Sequence, residues 1–129
     1  MSHMAKLNVD IQNLDSLRRA CDRLGIVLDM NDHNVRYYGG TQNYDGSIKV
    51  PGSTYDIGLK VLPDGSIEMH GDLYGSNGEI IRKACGNNFS DLKQMYTVEE
   101  TKRLAMINSY NIVSEVETDE DIELTIEVD

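Results

Sequence analysis

The sequence predicts a single α+β domain over residues 1–129, with a mostly antiparallel sheet and two helices on one of its faces. Three observations carry this. Apolar residues alternate with period two near both ends and again in the middle of the chain. Two stretches, Leu14–Leu24 and Ser90–Ser109, instead show helical spacing. The resulting order, β-α-β, a loop region, β-β, α, β-β, packs most economically as a ferredoxin-like arrangement or an elaboration of one.

Ala5, Leu7, Val9 and Ile11 alternate with Lys6, Asn8 and Asp10, which predicts a strand with one buried face. Asn13 is placed to cap a helix, and Asp15 early with Arg18, Arg19 and Arg23 later suits the helix dipole. Leu14, Leu17, Cys21 and Leu24 share one face of that helix, and Gly25 ends it. Ile26 to Met30 supplies a short strand. Residues 31–54 read as a long irregular loop, with a small hairpin expected around Asp45-Gly46. Tyr55, Ile57, Leu59 and Val61 make the next strand, and Pro63-Asp64-Gly65 turns it into Ile67 and Met69. Asp45-Gly46-Ser47-Ile48 and Asp64-Gly65-Ser66-Ile67 echo each other, which convergent turn chemistry explains better than a repeat. Gly71, Gly75, Gly78 and Gly86 mark a second irregular region. The stretch from Ser90 forms one helix or two, since Thr97-Val98-Glu99-Glu100 fits a capping box. Residues 112–129 close the chain as a strand pair. Ile122, Leu124, Ile126 and Val128 there alternate with Glu123, Thr125, Glu127 and Asp129.

Charge is uneven along the chain. The formal net charge is −10, from 22 acids against 12 bases. Residues 115–129 hold eight of the acids and no base, which leaves 14 acids against 12 bases elsewhere. Such a body is a poor partner for nucleic acid, whose phosphates need clustered Lys and Arg. Its acidic end suits a basic protein surface. No apolar run approaches the ~20 residues of a membrane span. Two cysteines, Cys21 and Cys85, with no Cys-x-x-Cys pair, predict a reducing, cytoplasmic setting.

Chemical motifs are sparse. No phosphate-cradling glycine motif occurs, and Gly71 to Gly78 reads as an ordinary loop. His3, His33 and His70 lie far apart, so no metal site or cofactor is expected, and Asp29 to His33 reads as a solvated loop. Cys21 sits on a helical apolar stripe and reads as inert, whereas Cys85 beside Lys83 leaves a reactive thiol open. Seven tyrosines accompany no tryptophan, and four of them (Tyr37, Tyr38, Tyr44, Tyr55) lie in or beside the long loop. Tyrosine offers flat contact area with a polar tip. A ligand site is therefore sought among Tyr38, Tyr55, Asp56, Lys60, Lys93 and Tyr96.

The opening Met1-Ser2-His3-Met4, followed by a strand and a helix ending Leu24-Gly25, resembles the hypothetical chloroplast reading-frame 35 family of plastids, cyanobacteria and other bacteria. Tyr38-Gly39-Gly40, Asp56-Ile57-Gly58-Leu59, the helix carrying Phe89, Leu92, Gln94 and Tyr96 (with Ala105 further along), and the closing strands from Ile112 to Val128 are similar to that family's segments in the same order. Met4 replaces an aromatic residue and tryptophan is missing, which fits a diverged member of bacterial or phage origin. Ser2-His3-Met4 equally matches an expression-vector scar, which would empty His3 of meaning. The resemblance brings no established activity, and implies an accessory role beside an ATPase of the AAA+ type. With no catalytic set apparent, the leading expectation is a non-catalytic adaptor contacting a protein partner through Glu115, Glu117, Glu123 and Glu127. The alternative is a binder of a small nucleotide-like ligand at the tyrosine-rich loop. A second alternative is an enzyme using Asp56 and His70 as acid and base.

Overall fold

Period-two alternation and two turn signals build the central sheet of this computed structural model. It describes the backbone of residues 4–118 and 122–127, with side chains from Ile11 onward. Five antiparallel strands stand in the order β1 (Met4–Ile11), β7 (Ile67–Asp72), β6 (Asp56–Val61), β5 (Gly46–Lys49) and β2 (Val27–Asp29). The fold is α+β. A ferredoxin-like order puts one strand between the two strands joined by the first helix; here three separate β1 from β2. Pro63-Asp64-Gly65 makes the expected β6–β7 turn, where Asp64 accepts hydrogen bonds from the Ser66 amide and hydroxyl.

The helices pack on one apolar core. α1 (Leu14–Leu24) starts where Asn13 Oδ1 accepts from the Ser16 amide, and Gly25 ends it at φ 72°. α3 (Ser90–Ile107) is one continuous helix, with no break at Thr97, whose hydroxyl bonds back to the Lys93 carbonyl. Between β7 and α3 lies α2 (Gly75–Cys85), a helix where the glycine-rich stretch predicted irregular chain. Leu17 and Cys21 of α1, Ile81 and Cys85 of α2, and Leu92 of α3 meet Ile48, Ile57, Leu59 and Met69 of the sheet. Phe89 is fully buried at φ 61°, and its ring covers Gly71 so closely that a Cβ there would stand 2.9 Å from Phe89 Cζ.

Two regions depart from the sequence reading. Half of the stretch 31–54 is strand: β3 (Asn34–Tyr37) and β4 (Gly40–Asn43) form a hairpin turned at Tyr38-Gly39, and β5 follows. The hairpin expected at Asp45-Gly46 is absent, and Gly46-Ser47-Ile48 begins a sheet strand, so the two Asp-Gly-Ser-Ile stretches play different roles. The closing strands β8 (Asn111–Glu117) and β9 (Ile122–Glu127) leave the main sheet and pair only with each other, as a two-stranded ribbon against α3. His3, Asp119 to Asp121, Val128 and Asp129 lie outside the described residues.

Candidate functional site

Strict alternation gives the main sheet a second, polar face. Ile57, Leu59, Ile67 and Met69 turn to the helices, so Asp56, Gly58 and Lys60 of β6 and Glu68, His70 and Asp72 of β7 turn the other way. The β3–β4 hairpin lies over this face. Asp56, only 1% exposed, moors it by accepting from the Arg36 amide (3.0 Å), Arg36 Nε (2.9 Å), Arg36 Nη2 (2.8 Å) and Lys49 Nζ (3.0 Å). Burial works to raise the Asp56 pKa, yet these bonds outweigh it and hold the carboxyl below its ordinary value. Asp72, fully buried, accepts from the Tyr38 and Tyr74 amides.

Beside this anchor runs a hydrogen-bonded chain. Tyr44 OH lies 3.0 Å from His70 Nδ1, and His70 Nε2 lies 2.9 Å from Glu68 Oε1. The Tyr44 ring meets His70 edge-on at 5.4 Å and lies against Gly58, where a Cβ would come within 2.6 Å of it. Burial pushes the Tyr44 phenol above its usual value. Tyr44 and His70 join Gln42, Asn43, Asp45 and Lys60 around an open cavity of about 320 Å³.

The residues sought as a ligand site are not brought together. Tyr38, Asp56 and Lys60 are on the hairpin side, but Asp56 is taken up by Arg36 and Lys49, and the Tyr38 ring is exposed. Tyr55 packs against the apolar core. Tyr96 is buried, and its hydroxyl accepts from the Gln12 and Asn13 amides to hold the start of α1. Lys93 borders a separate groove on α3 with Gln94, Val98 and Ile122. Asp56 and His70 have separate partners and form no acid–base pair. Sequence reasoning counted Tyr44 in the tyrosine-rich loop but not in the ligand set, and missed Glu68, Gln42 and Asn43. The available signal was Gly58, a glycine inside an alternating strand, which marks close approach by another group.

The acidic ribbon also differs from its expected form. Glu115 is a clamp: Arg23 Nη2 reaches it at 3.0 Å, Lys102 joins it, and Arg23 also bonds Glu99 at 2.9 Å. Lys102 and then Arg23 lower the Glu115 pKa. Glu117, Glu123 and Glu127 are exposed. Apolar side chains are exposed with them: Met106 is 76%, Ile107 63%, Val113 53% and Val116 50% accessible, and Leu104 and Tyr110 are also open to solvent. Arg19, Lys102, Arg103, Met106, Tyr110 and Ile112 border a groove of about 470 Å³ at the root of β8.

Cys21 and Cys85 are both fully buried, and burial pushes each thiol up to about 12, which removes the thiolate a reactive Cys85 needs. Among the described residues no cluster of His, Cys, Asp and Glu could hold a metal ion, and no helix is long and apolar enough to cross a membrane. No family model, curated protein or solved structure matches this chain.

Proposed function

We propose that this chain is a non-catalytic adaptor that docks on a protein partner through the β8–β9 ribbon and the adjoining end of α3. One observation carries the reading: seven large apolar side chains between Leu104 and Val116 are exposed. Monomeric proteins rarely present such a stretch without a partner for it. Exposed acids at Glu117, Glu123 and Glu127 give this apolar centre a charged rim, the usual anatomy of an interface. The resemblance to the reading-frame 35 family, with its AAA+ company, points the same way. The contact differs from an all-acid one, because Glu115 is committed to Arg23 and Lys102 inside the molecule.

Placing a photo-crosslinking amino acid at Val113 or Val116, against a control at Asp64, tests this in the native host. The partner captured from the ribbon is then purified and titrated against this chain. Binding is expected to weaken at least tenfold in a Met106→Ser/Ile107→Ser variant that keeps its circular dichroism. Equal affinity for that variant would overturn the proposal.

A second reading, a small-ligand site, is favoured by the cavity beside Tyr44 and His70. Lys60 there has no ion-pair partner among the described residues, and the amides of Gln42 and Asn43 stand beside it. A nucleotide-like anion would stabilise the wild type in a thermal-shift panel and lose that effect in Lys60→Met. No shift with any nucleotide would remove the reading. Asp56 meets four donor contacts already, so acid–base chemistry at that carboxylate draws no support.

A further inference from the structure

Among the described residues β8 has one neighbour, β9, and beyond the register shift at Val113 alternate backbone N–H and C=O groups of residues 114–117 face outward along its other edge. All seven of its residues are exposed, and no side chain among the described residues bonds to its backbone. A two-stranded ribbon is marginal by itself and gains most from a third strand. We infer that the open edge of β8 accepts an extended segment of the partner as a third strand, one that alternates Lys or Arg with apolar residues. This rests on the adaptor reading and specifies the chemistry of its contact.

Charge selects this occupant over a second copy of the chain. From residue 104 to residue 129 the sequence holds no Lys, Arg or His. The cations near the root of β8 are already engaged: Arg19 with Asp15, Lys102 with Glu99 and Glu115, Arg103 with Glu100. A second ribbon would bring its own acids and no cation to the contact, so two like-charged ribbons repel where a basic segment is attracted. Alternation supplies the pattern. Glu115 and Glu117 fall on one face of β8, and Ser114 and Val116 on the other. A strand added to that edge meets Glu117 with its basic residues and Val116 with its apolar ones. Backbone bonds thus supply affinity and alternate side chains supply selection, as in other cases of strand addition.

An octapeptide alternating Lys and Val is a direct probe, titrated into the full chain with amide hydrogen exchange as the readout. Amides of residues 111–117 not bonded to β9 are expected to slow at least tenfold, while those of the β6–β7 turn do not change. Raising salt from about 50 to about 300 mM should weaken the effect. A peptide alternating Glu and Val, and a Lys-Val peptide N-methylated along one edge, should leave the exchange unaltered. Equal protection by either control overturns the inference, as does no protection by the Lys-Val peptide. Concentration-dependent protection without any peptide assigns the edge to a second copy and also overturns it. If the purified partner binds wild type, loses affinity for Met106→Ser/Ile107→Ser, and leaves β8 exchange unaltered, the adaptor reading stands and the strand-addition inference alone fails.

Discussion

Replacing Asp56 by alanine tests whether a buried carboxylate ties the β3–β4 hairpin to the sheet. Four contacts are lost, three from Arg36 and one from Lys49. The guanidinium is about half exposed and the ammonium about a third, so water can rehydrate both, and their share of the loss is modest. The Arg36 amide loses its carboxylate acceptor, at about 1–3 kcal/mol. Together these place the variant near the low end of broken buried pairs, about 3 kcal/mol. In a domain of 129 residues that is a fall of roughly 10 °C in Tm. Urea denaturation followed by circular dichroism measures the loss. In an Arg36→Met background the same alanine change should cost about 1–2 kcal/mol less, because much of what Asp56 held is already gone. A cost under about 1 kcal/mol, or equal costs in the two backgrounds, would refute the mooring argument.

Three further outcomes are expected. Gly58→Ala puts a methyl 2.6 Å from the Tyr44 ring and should destabilise by about 1–3 kcal/mol, with the loss reduced in a Tyr44→Ala background; additive losses in the double variant would count against the contact. Cys21 and Cys85 should resist a thiol reagent until urea unfolds the chain, since burial raises both thiols to about 12; labelling of the native protein at neutral pH would contradict this. Acid titration should also destabilise the fold. Arg103 lowers Glu100, Lys102 and Arg23 lower Glu115, and Arg36 and Lys49 overcome burial at Asp56. A carboxylate whose folded pKa is depressed stabilises above its unfolded value, about 4, and loses that stabilisation as pH falls through the folded one. Urea midpoints should therefore hold from pH 7 to about 5 and drop below about 4; a midpoint that holds down to pH 2 would refute it.

The parts of this fold that could be read along the chain are those held by neighbours in sequence. α1 has its cap, its apolar stripe and its αL glycine within a dozen residues, and the β6–β7 hairpin has Pro63-Asp64-Gly65. α2 was illegible because its buried stripe is Gly78, Ile81 and Cys85, so a glycine occupies a core-facing turn of the helix. A Cβ at Gly78 would come 2.1 Å from the Leu73 carbonyl carbon, and close packing there requires the residue that hides the helix from pattern reading. β4, Gly40–Asn43, has no apolar residue at all. Its hairpin is moored through β3 by Asp56 and Asp72, which lie 20 and 34 residues away from the amides they hold. The candidate cavity inherits that problem, because Tyr44 meets His70 only once the hairpin lies on the sheet. For the ribbon, alternation located Ile122, Leu124 and Ile126 on a half-buried face, but could not say that α3 covers it and not the main sheet.

The molecule handles two of its strand edges in opposite ways, and that contrast bears on function. On β3 and at the turn that follows it, the amides of Asn34, Arg36 and Tyr38 each find a carboxylate: Asp32, Asp56 and Asp72 in turn. Three donors are thereby closed to any incoming strand, the kind of protection that exposed edges require. On β8 no described side chain does the same, although acids are plentiful around it. Glu115 could have turned outward, yet it bonds Arg23 and Lys102 and fixes the ribbon to the helices. A chain that closes one edge with three carboxylates, and leaves another open while Glu115 anchors it from behind, has the edge that the proposed strand addition requires.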